Sequence, residues 1–461
     1  MELNRKYGLL TAICMVVGTV IGSGVFFKAQ TVLTLTQGDM PLGILAWFLG
    51  GSIMLVCTLA FANLAAKYQK VNGLVDYAEA TVGRGYAYFV GWFSAVIYCP
   101  CLTSVLAWLS ARYTLVFLTS INPLLAPDAA AGPECLALTM VYLCGAYAVN
   151  ALSPKLAGKI QVSTTVIKLI PLGLMAVAGT IYGLGHGITQ QNFQTVAVVA
   201  GAPHKNPLFA AVVATSFAYE GWIITTSINA ELKDAKRNLP RALVTGALIV
   251  IAVYIAYYIG VAGGATNQQL IDHGASVAFI SVFGRVFGTV LNLFVAVSCL
   301  GTTNGLMLGC ARGFYALAVR GEGPRPKIFG AVDRETNVPG NSAVAGLMGC
   351  ALWGFYFYLS QLSSSPGSWL GRMVFDSSEL PIITLYAVYL PILFQFMRKG
   401  RGLGAGKRFV VPILAILGSL FMIVACIYAH GMENVYYLLV FAAVMAFGMC
   451  FYRKQQTNAP D

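Results

Sequence analysis

The chain has 461 residues, 58% hydrophobic and only 10% charged, with a mean hydropathy of +0.74. A soluble domain carries about 25% charged residues, so this composition excludes a soluble globular fold and indicates a polytopic membrane protein. The net charge of +12 would suit a nucleic-acid partner, but along the chain it follows membrane topology instead.

Twelve apolar segments are expected, at about 8–30, 42–66, 86–117, 135–152, 159–184, 207–228, 242–262, 282–318, 341–361, 376–397, 409–429 and 434–452. Each is near the roughly 20 residues that cross a bilayer as a helix. Segments three and eight are long enough to tilt. With a cytoplasmic N-terminus, the inner ends and loops hold Arg5, Lys6, Lys67, Lys70, Arg84, Lys155, Lys159, Lys233, Lys236, Arg237 and Arg241. They also hold Arg312, Arg320, Arg325, Lys327, Arg334, Arg398, Lys399, Arg401, Lys407, Arg408, Arg453 and Lys454, making 23 of the 29 basic residues. Lys28, Arg112, Lys205, Arg285 and Arg372 fall toward the outer side, and Lys168 lies within a span. This asymmetry places the protein in the cell membrane with both termini on the cytoplasmic side. The first segment lacks a cleavage signature and is expected to be a true span rather than a signal peptide.

The 11 cysteines lie mostly in apolar segments, as Cys14, Cys57, Cys144 and Cys426 do, and read as small core residues. No N-x-S/T sequon occurs. The outer loops 185–206, 263–281 and 362–375 are rich in Gly, Ser, Asn and Pro, and 275–284 suits a short surface helix. The polar tail after Lys454 is expected to be disordered.

Two stretches break the helical pattern. The first is Gly18-Thr-Val-Ile-Gly-Ser-Gly-Val-Phe26, inside segment one. Glycine weakens a helix interior by about 1 kcal/mol relative to Ala. Broken backbone at membrane depth survives only where protein buries it or it lines a wet cavity. The stretch therefore reads as a deliberate break that offers backbone groups to a ligand. A GxxxG pair at Gly18 and Gly22 also fits plain helix packing. The second break is Ala214-Thr-Ser-Phe-Ala-Tyr-Glu-Gly-Trp222, with Glu220 near mid-span. An ionisable residue there is costly and marks a functional site, unless it snorkels or pairs within the bundle. Interrupted helices at matching positions of two halves point to a transporter built from inverted repeats. A ten-helix core occupies 1–400, with repeat one about 8–184 and repeat two about 207–397. Two peripheral helices occupy 401–452, and 453–461 is a cytoplasmic tail.

These residues carry a family resemblance. Gly18–Phe26 resembles the first-helix motif of the amino acid–polyamine–organocation superfamily, and Phe217-Ala-Tyr-Glu-Gly-Trp222 the sixth-helix motif of its L-type amino acid transporter branch. Glu231-Leu-Lys-Asp-Ala-Lys-Arg-Asn-Leu-Pro-Arg-Ala242 is similar to that branch's loop after helix six. Asn72-Gly-Leu-Val-Asp-Tyr77 with Gly91-Trp92 fits its helix-three entry, and Gly301-Thr-Thr-Asn-Gly305 with Arg312 its helix eight. Within the branch the chain is most similar to the bacterial serine/threonine exchanger type. The resemblance implies an all-α fold of twelve transmembrane helices. Ten form the five-plus-five inverted repeat shared with the leucine transporter, with helices one and six broken at mid-membrane.

A free amino acid is a zwitterion, and a broken helix can hold both its charges. The carboxylate is expected on backbone N–H groups near Ser23, Gly24 and Val25, where a helix N-terminus favours an anion. The ammonium is expected on carbonyls near Thr19, Ile21 and Phe217, with Gly22 allowing close approach. Ala218, Tyr219, Glu220 and Gly221 complete the expected substrate set. The Phe217 ring is expected as an outer gate, or as core packing. Lys168 resembles the helix-five lysine of the L-type branch, whose ammonium the resemblance implies stands where relatives hold a sodium ion. Its partners would be free carbonyls of segment one and a polar group of segment eight such as Ser298; the alternative is a lysine snorkelling to the inner face. Tyr254 matches a family tyrosine that steadies helix one, or is packing.

The expected function is a sodium-independent antiporter of small neutral L-amino acids (Ala, Ser, Thr, Cys), working by alternating access. A proton-coupled symporter, a cationic amino acid exchanger and a transport-silent sensor stand as alternatives. A membrane enzyme has no catalytic cluster to support it. The histidines His186, His204, His273 and His430 lie near the outer side without metal-ligand spacing, and no cofactor or metal is expected. The partners expected are the amino acid substrates and the lipid bilayer. The resemblance implies that a heavy-chain subunit, as in eukaryotic L-type light chains, would be tethered by a cysteine in the loop after segment three; loop 118–133 has none and Cys135 comes too late, so a stand-alone carrier in a bacterial plasma membrane is expected.

Overall fold

The computed structural model describes residues 8–68, 73–122, 127–195, 206–333, 338–363 and 374–452. Arg5, Lys6, Asn72, Lys70, Lys205, His204, Arg334, Arg372, Arg453, Lys454 and the tail 453–461 lie outside the described residues, as do parts of loops 118–133, 185–206 and 362–375.

In lipid every backbone polar group must find a partner within the protein, and continuous apolar segments of bilayer length achieve this as helices. The regular elements among the described residues are accordingly all helical, without β-strands. Ten stretches are long and apolar enough to cross a membrane. The pair Leu9–Val20 and Gly24–Leu35, bent by 44°, makes eleven. The last expected segment forms Glu433–Met449, whose 17 residues stand at the lower limit for crossing a bilayer. The surface helix expected at 275–284 appears as Ala275–Phe283.

Local sequence explains several boundaries. The Asp39 side chain accepts from Leu42 N at 2.9 Å and starts Met40–Lys67. Thr266 and Gln269 form a reciprocal capping box at the head of Asn267–His273. Segment three carries a wide, π-helical turn at Ser94–Tyr98, a device often found at functional sites.

Burial separates a centre from a periphery. In segments three and six, 83% of the apolar window is buried within the protein, against 22% in Pro133–Leu152 and 33% in Gly406–His430. Segments three and six are therefore enclosed by other helices, while the latter two present most of their surface to lipid. Segment eight packs along segment three, and segment seven along segment two. The first half of segment six lies against the second half of segment one, which brings the two breaks together.

Candidate functional site

The first helix ends at Val20, where Ile21 turns to an extended conformation, and resumes at Gly24. The second ends at Ala218, and Gly221 has a φ of +104° that a side chain would strain. From there the chain tightens into a 3-10 stretch, Trp222–Glu231. A β-carbon on Gly221 would stand 2.8 Å from the Thr19 carbonyl oxygen. The two breaks thus face each other across a backbone-to-backbone contact that only glycine permits.

No side chain caps the helix that begins at Gly24. Its first N–H groups lack intrahelical acceptors, so the break holds a ready anion site. Most carbonyls released by the first break are taken by named donors. The Lys168 Nζ, fully buried, donates to the Gly18 carbonyl at 2.7 Å, to the Ile21 carbonyl, and to Thr302 Oγ1 at 3.0 Å. Thr302 Oγ1 also lies 3.1 Å from the Ile21 carbonyl, and Ser298 Oγ donates to the Gly22 carbonyl at 3.1 Å. Tyr254 Oη donates to the Ala218 carbonyl at 2.9 Å and stands 3.2 Å from that of Val20, so one hydroxyl spans both breaks.

This geometry bears on two expectations. The segment-eight partner of Lys168 is Thr302, one helical turn beyond Ser298, because Ser298 is spent on Gly22. The Ile21 carbonyl, expected near the substrate ammonium, accepts from Lys168 Nζ and lies 3.1 Å from Thr302 Oγ1.

Between the breaks lies a cavity with about 20 Å³ open to the centre of a water molecule, on the order of one water. Thr19, Gly22, Gly24, Phe217, Glu220 and Gly221 line it, joined by Val20, Thr302 and the apolar wall of Leu102, Leu106 and Leu306. Ser23 and Val25 are buried beside it. Ala218 packs under Gly24, and the Tyr219 hydroxyl points away to the Trp47 carbonyl at 2.9 Å. Glu220 accepts from the Tyr98 hydroxyl at 2.5 Å. On one side a vestibule of about 420 Å³ opens above Lys28, whose ammonium lies 5.5 Å from the Phe217 ring centroid. On the other, about 110 Å³ opens among Tyr98, Ile223 and Arg312.

Tyr98, Thr302 and the three leucines escaped the sequence reading. Thr302 sits in the quoted Gly301–Gly305 motif, at the i+4 position from Ser298, and that spacing was its available signal. Tyr98 and the leucines are ordinary residues of an apolar span. Among the described residues no cluster of His, Cys, Asp and Glu could hold a metal ion.

Comparison with known proteins bears on this geometry. The family described as amino acid permease matches residues 7–450. The serine/threonine exchanger SteT of Bacillus subtilis is 29% identical over 431 residues, covering 91% of each chain. The mouse b(0,+)-type amino acid transporter 1 is 27% identical, covering 98% of this chain and 88% of its own. The crystal structure of MhsT in complex with L-phenylalanine superposes with a TM-score of 0.62 at 16% identity, covering 96% of this chain and all of that one. That likeness gives the fold, the leucine-transporter-like arrangement with its broken helices. The relatives are transporters, not enzymes. The chain belongs to the amino acid permease family of the amino acid–polyamine–organocation superfamily, and its work is amino acid transport.

Proposed function

We propose that this chain is a sodium-independent exchanger of small neutral L-amino acids, operating by alternating access from a multi-pass position in a bacterial plasma membrane, with both termini cytoplasmic. The observation that carries the reading is Lys168, whose buried ammonium sits on the Gly18 and Ile21 carbonyls and the Thr302 hydroxyl. A fixed cation at that point holds the released carbonyls as a bound sodium ion would. It leaves the empty carrier dependent on substrate to reorient, which favours exchange. The substrate carboxylate is assigned to the N–H groups of Ser23, Gly24 and Val25, and its ammonium to the Thr19 and Phe217 carbonyls. The leucine wall and the small cavity favour a short side chain. The name of the relative SteT, an exchanger of serine and threonine, agrees with this choice. The ten-helix core within 1–400, its two repeats, the peripheral pair 401–452 and the absence of a heavy-chain subunit complete the proposal.

Glu220 supports a second reading. Its carboxyl lines the cavity and its hydrogen-bond partner there is the neutral Tyr98 hydroxyl. An ionised Glu220 would suit a cationic amino acid. Counterflow in proteoliposomes with and without sodium tests both. Serine exchange that needs internal amino acid and is indifferent to sodium is the expected result. Arginine exchange without serine exchange would reverse the substrate assignment, and strict sodium dependence would refute the role of Lys168.

A further inference from the structure

The vestibule side of the breaks carries a connected set of charges. Lys28, 3% exposed, pairs with Glu379 Oε1 while lying over the Phe217 ring. Glu379 immediately precedes the tenth helix, Leu380–Lys399. Its second oxygen, Oε2, is met at 3.0 Å by Nε2 of His430, the last residue of the eleventh segment. The other ring nitrogen, Nδ1, stands 3.4 Å from Oε2 of Glu433 on the twelfth. That glutamate oxygen accepts from Asp376 N at 3.2 Å. Asp376 in turn accepts from Ser378 N at 2.6 Å and from Glu379 N at 3.1 Å, fixing the turn that presents Glu379. Lys28, Asp376, Glu379, His430 and Glu433 all line the 420 Å³ vestibule. Cys426, one turn back on the same helix as His430, adds only a thiol bonded to Asn434 Oδ1 at 3.3 Å.

A neutral imidazole has one N–H and one lone pair, whereas the protonated ring donates from both nitrogens. Both nitrogens of His430 face carboxylate oxygens, so a neutral ring would set its lone pair against one of them. The arrangement is that of an imidazolium. With it, two cations face three carboxylates; without its proton, Lys28 alone faces all three, and the eleventh segment loses its hold on Glu379.

We infer that His430, on a segment beyond the two five-helix sets, is a positioning residue for the outer gate formed by Lys28, Phe217 and Glu379, and that its proton sets how firmly that gate closes. The inference rests on the exchanger reading, since a gate matters only in a carrier. Closure to the outside reduces the fraction of carrier competent to bind external substrate and raises its apparent KM in proportion.

The test is counterflow of radiolabelled serine or arginine in proteoliposomes, with the apparent KM for external substrate measured as external pH is raised from neutral to strongly alkaline, because two carboxylates hold the His430 proton. The wild-type value should fall by about tenfold or more, the scale of one hydrogen bond to a charged group. His430→Gln should show the low value at every pH. Should that variant fail to insert, Glu433→Gln, at a position whose side chain is 47% exposed, should keep the fall but begin it at lower pH. A flat wild-type profile, or a wild-type profile retained in either variant, overturns the inference. Absence of wild-type counterflow with either substrate overturns the exchanger reading, and the inference with it.

Discussion

A β-carbon on Gly24 would stand 2.4 Å from the α-carbon of Ala218 and 2.8 Å from its β-carbon. The first broken segment therefore resumes its helix directly against the backbone end of the other, and the N–H groups assigned to the substrate carboxylate are aimed by that contact. The neighbour is backbone, which cannot swing aside as a flexible side chain could. Gly24→Ala is expected to weaken substrate binding at least tenfold, roughly 1.4 kcal/mol, and to lower the melting temperature. Binding of radiolabelled substrate to the purified variant, with a thermal scan, checks both; wild-type affinity would refute the assignment.

Lys168 is fully buried with three acceptors around its ammonium. Lys168→Ala leaves the Gly18 and Ile21 carbonyls short of a donor, and each unsatisfied buried group costs about 1–3 kcal/mol. Exchange should drop by about a hundredfold or more in counterflow assays. A variant within tenfold of wild type would remove the lysine from the mechanism.

Thr302→Val keeps the side-chain shape and deletes the hydroxyl that bridges Lys168 and the Ile21 carbonyl. The expected cost is about tenfold in exchange rate, or roughly 1.4 kcal/mol. Ser298→Ala, which loses one bond to Gly22, should cost less. The two variants compared side by side in one liposome preparation decide the ranking, and the reverse order would contradict the geometry.

Tyr254→Phe removes the one hydroxyl that reaches both the Ala218 and Val20 carbonyls. Loss of that bond should destabilise the protein by about 1–3 kcal/mol, read as a lower melting temperature in detergent. An unchanged transition temperature would mean that the breaks are held by other contacts.

Glu220→Gln retains an acceptor for the Tyr98 hydroxyl and removes the ionisable group. For a neutral substrate, exchange should stay within about tenfold, or 1.4 kcal/mol. Under the cationic reading, arginine exchange should vanish. Serine and arginine counterflow in wild type and variant separate the two.

Much of the architecture was legible in the chain itself. Hydrophobic length places the segments, because lipid offers a backbone no hydrogen-bond partner and so forces helices of bilayer length. Glycines at 18, 22 and 24 and the acid at 220 mark both breaks, since neither residue type is tolerated at mid-span without a reason. What those marks lack is distance. That Gly221 closes on the Thr19 carbonyl, that Thr302 rather than Ser298 reaches Lys168, and that Ile21 is engaged by the lysine all depend on how segments one, five, six and eight cross. Ser298 and Thr302 lie one turn apart on one helix face, so sequence offers both equally and only the packing of the helix selects. The same holds for His430. Its ring nitrogens meet Glu379 and Glu433 because three helix ends converge at the vestibule. Nothing in the local sequence around a histidine at the end of an apolar segment records where the other two ends will be. A sequence states which groups are costly to bury, whereas the tertiary fold decides which partner offsets each cost, because hydrogen bonds and ion pairs act over a few ångströms between residues up to hundreds of positions apart.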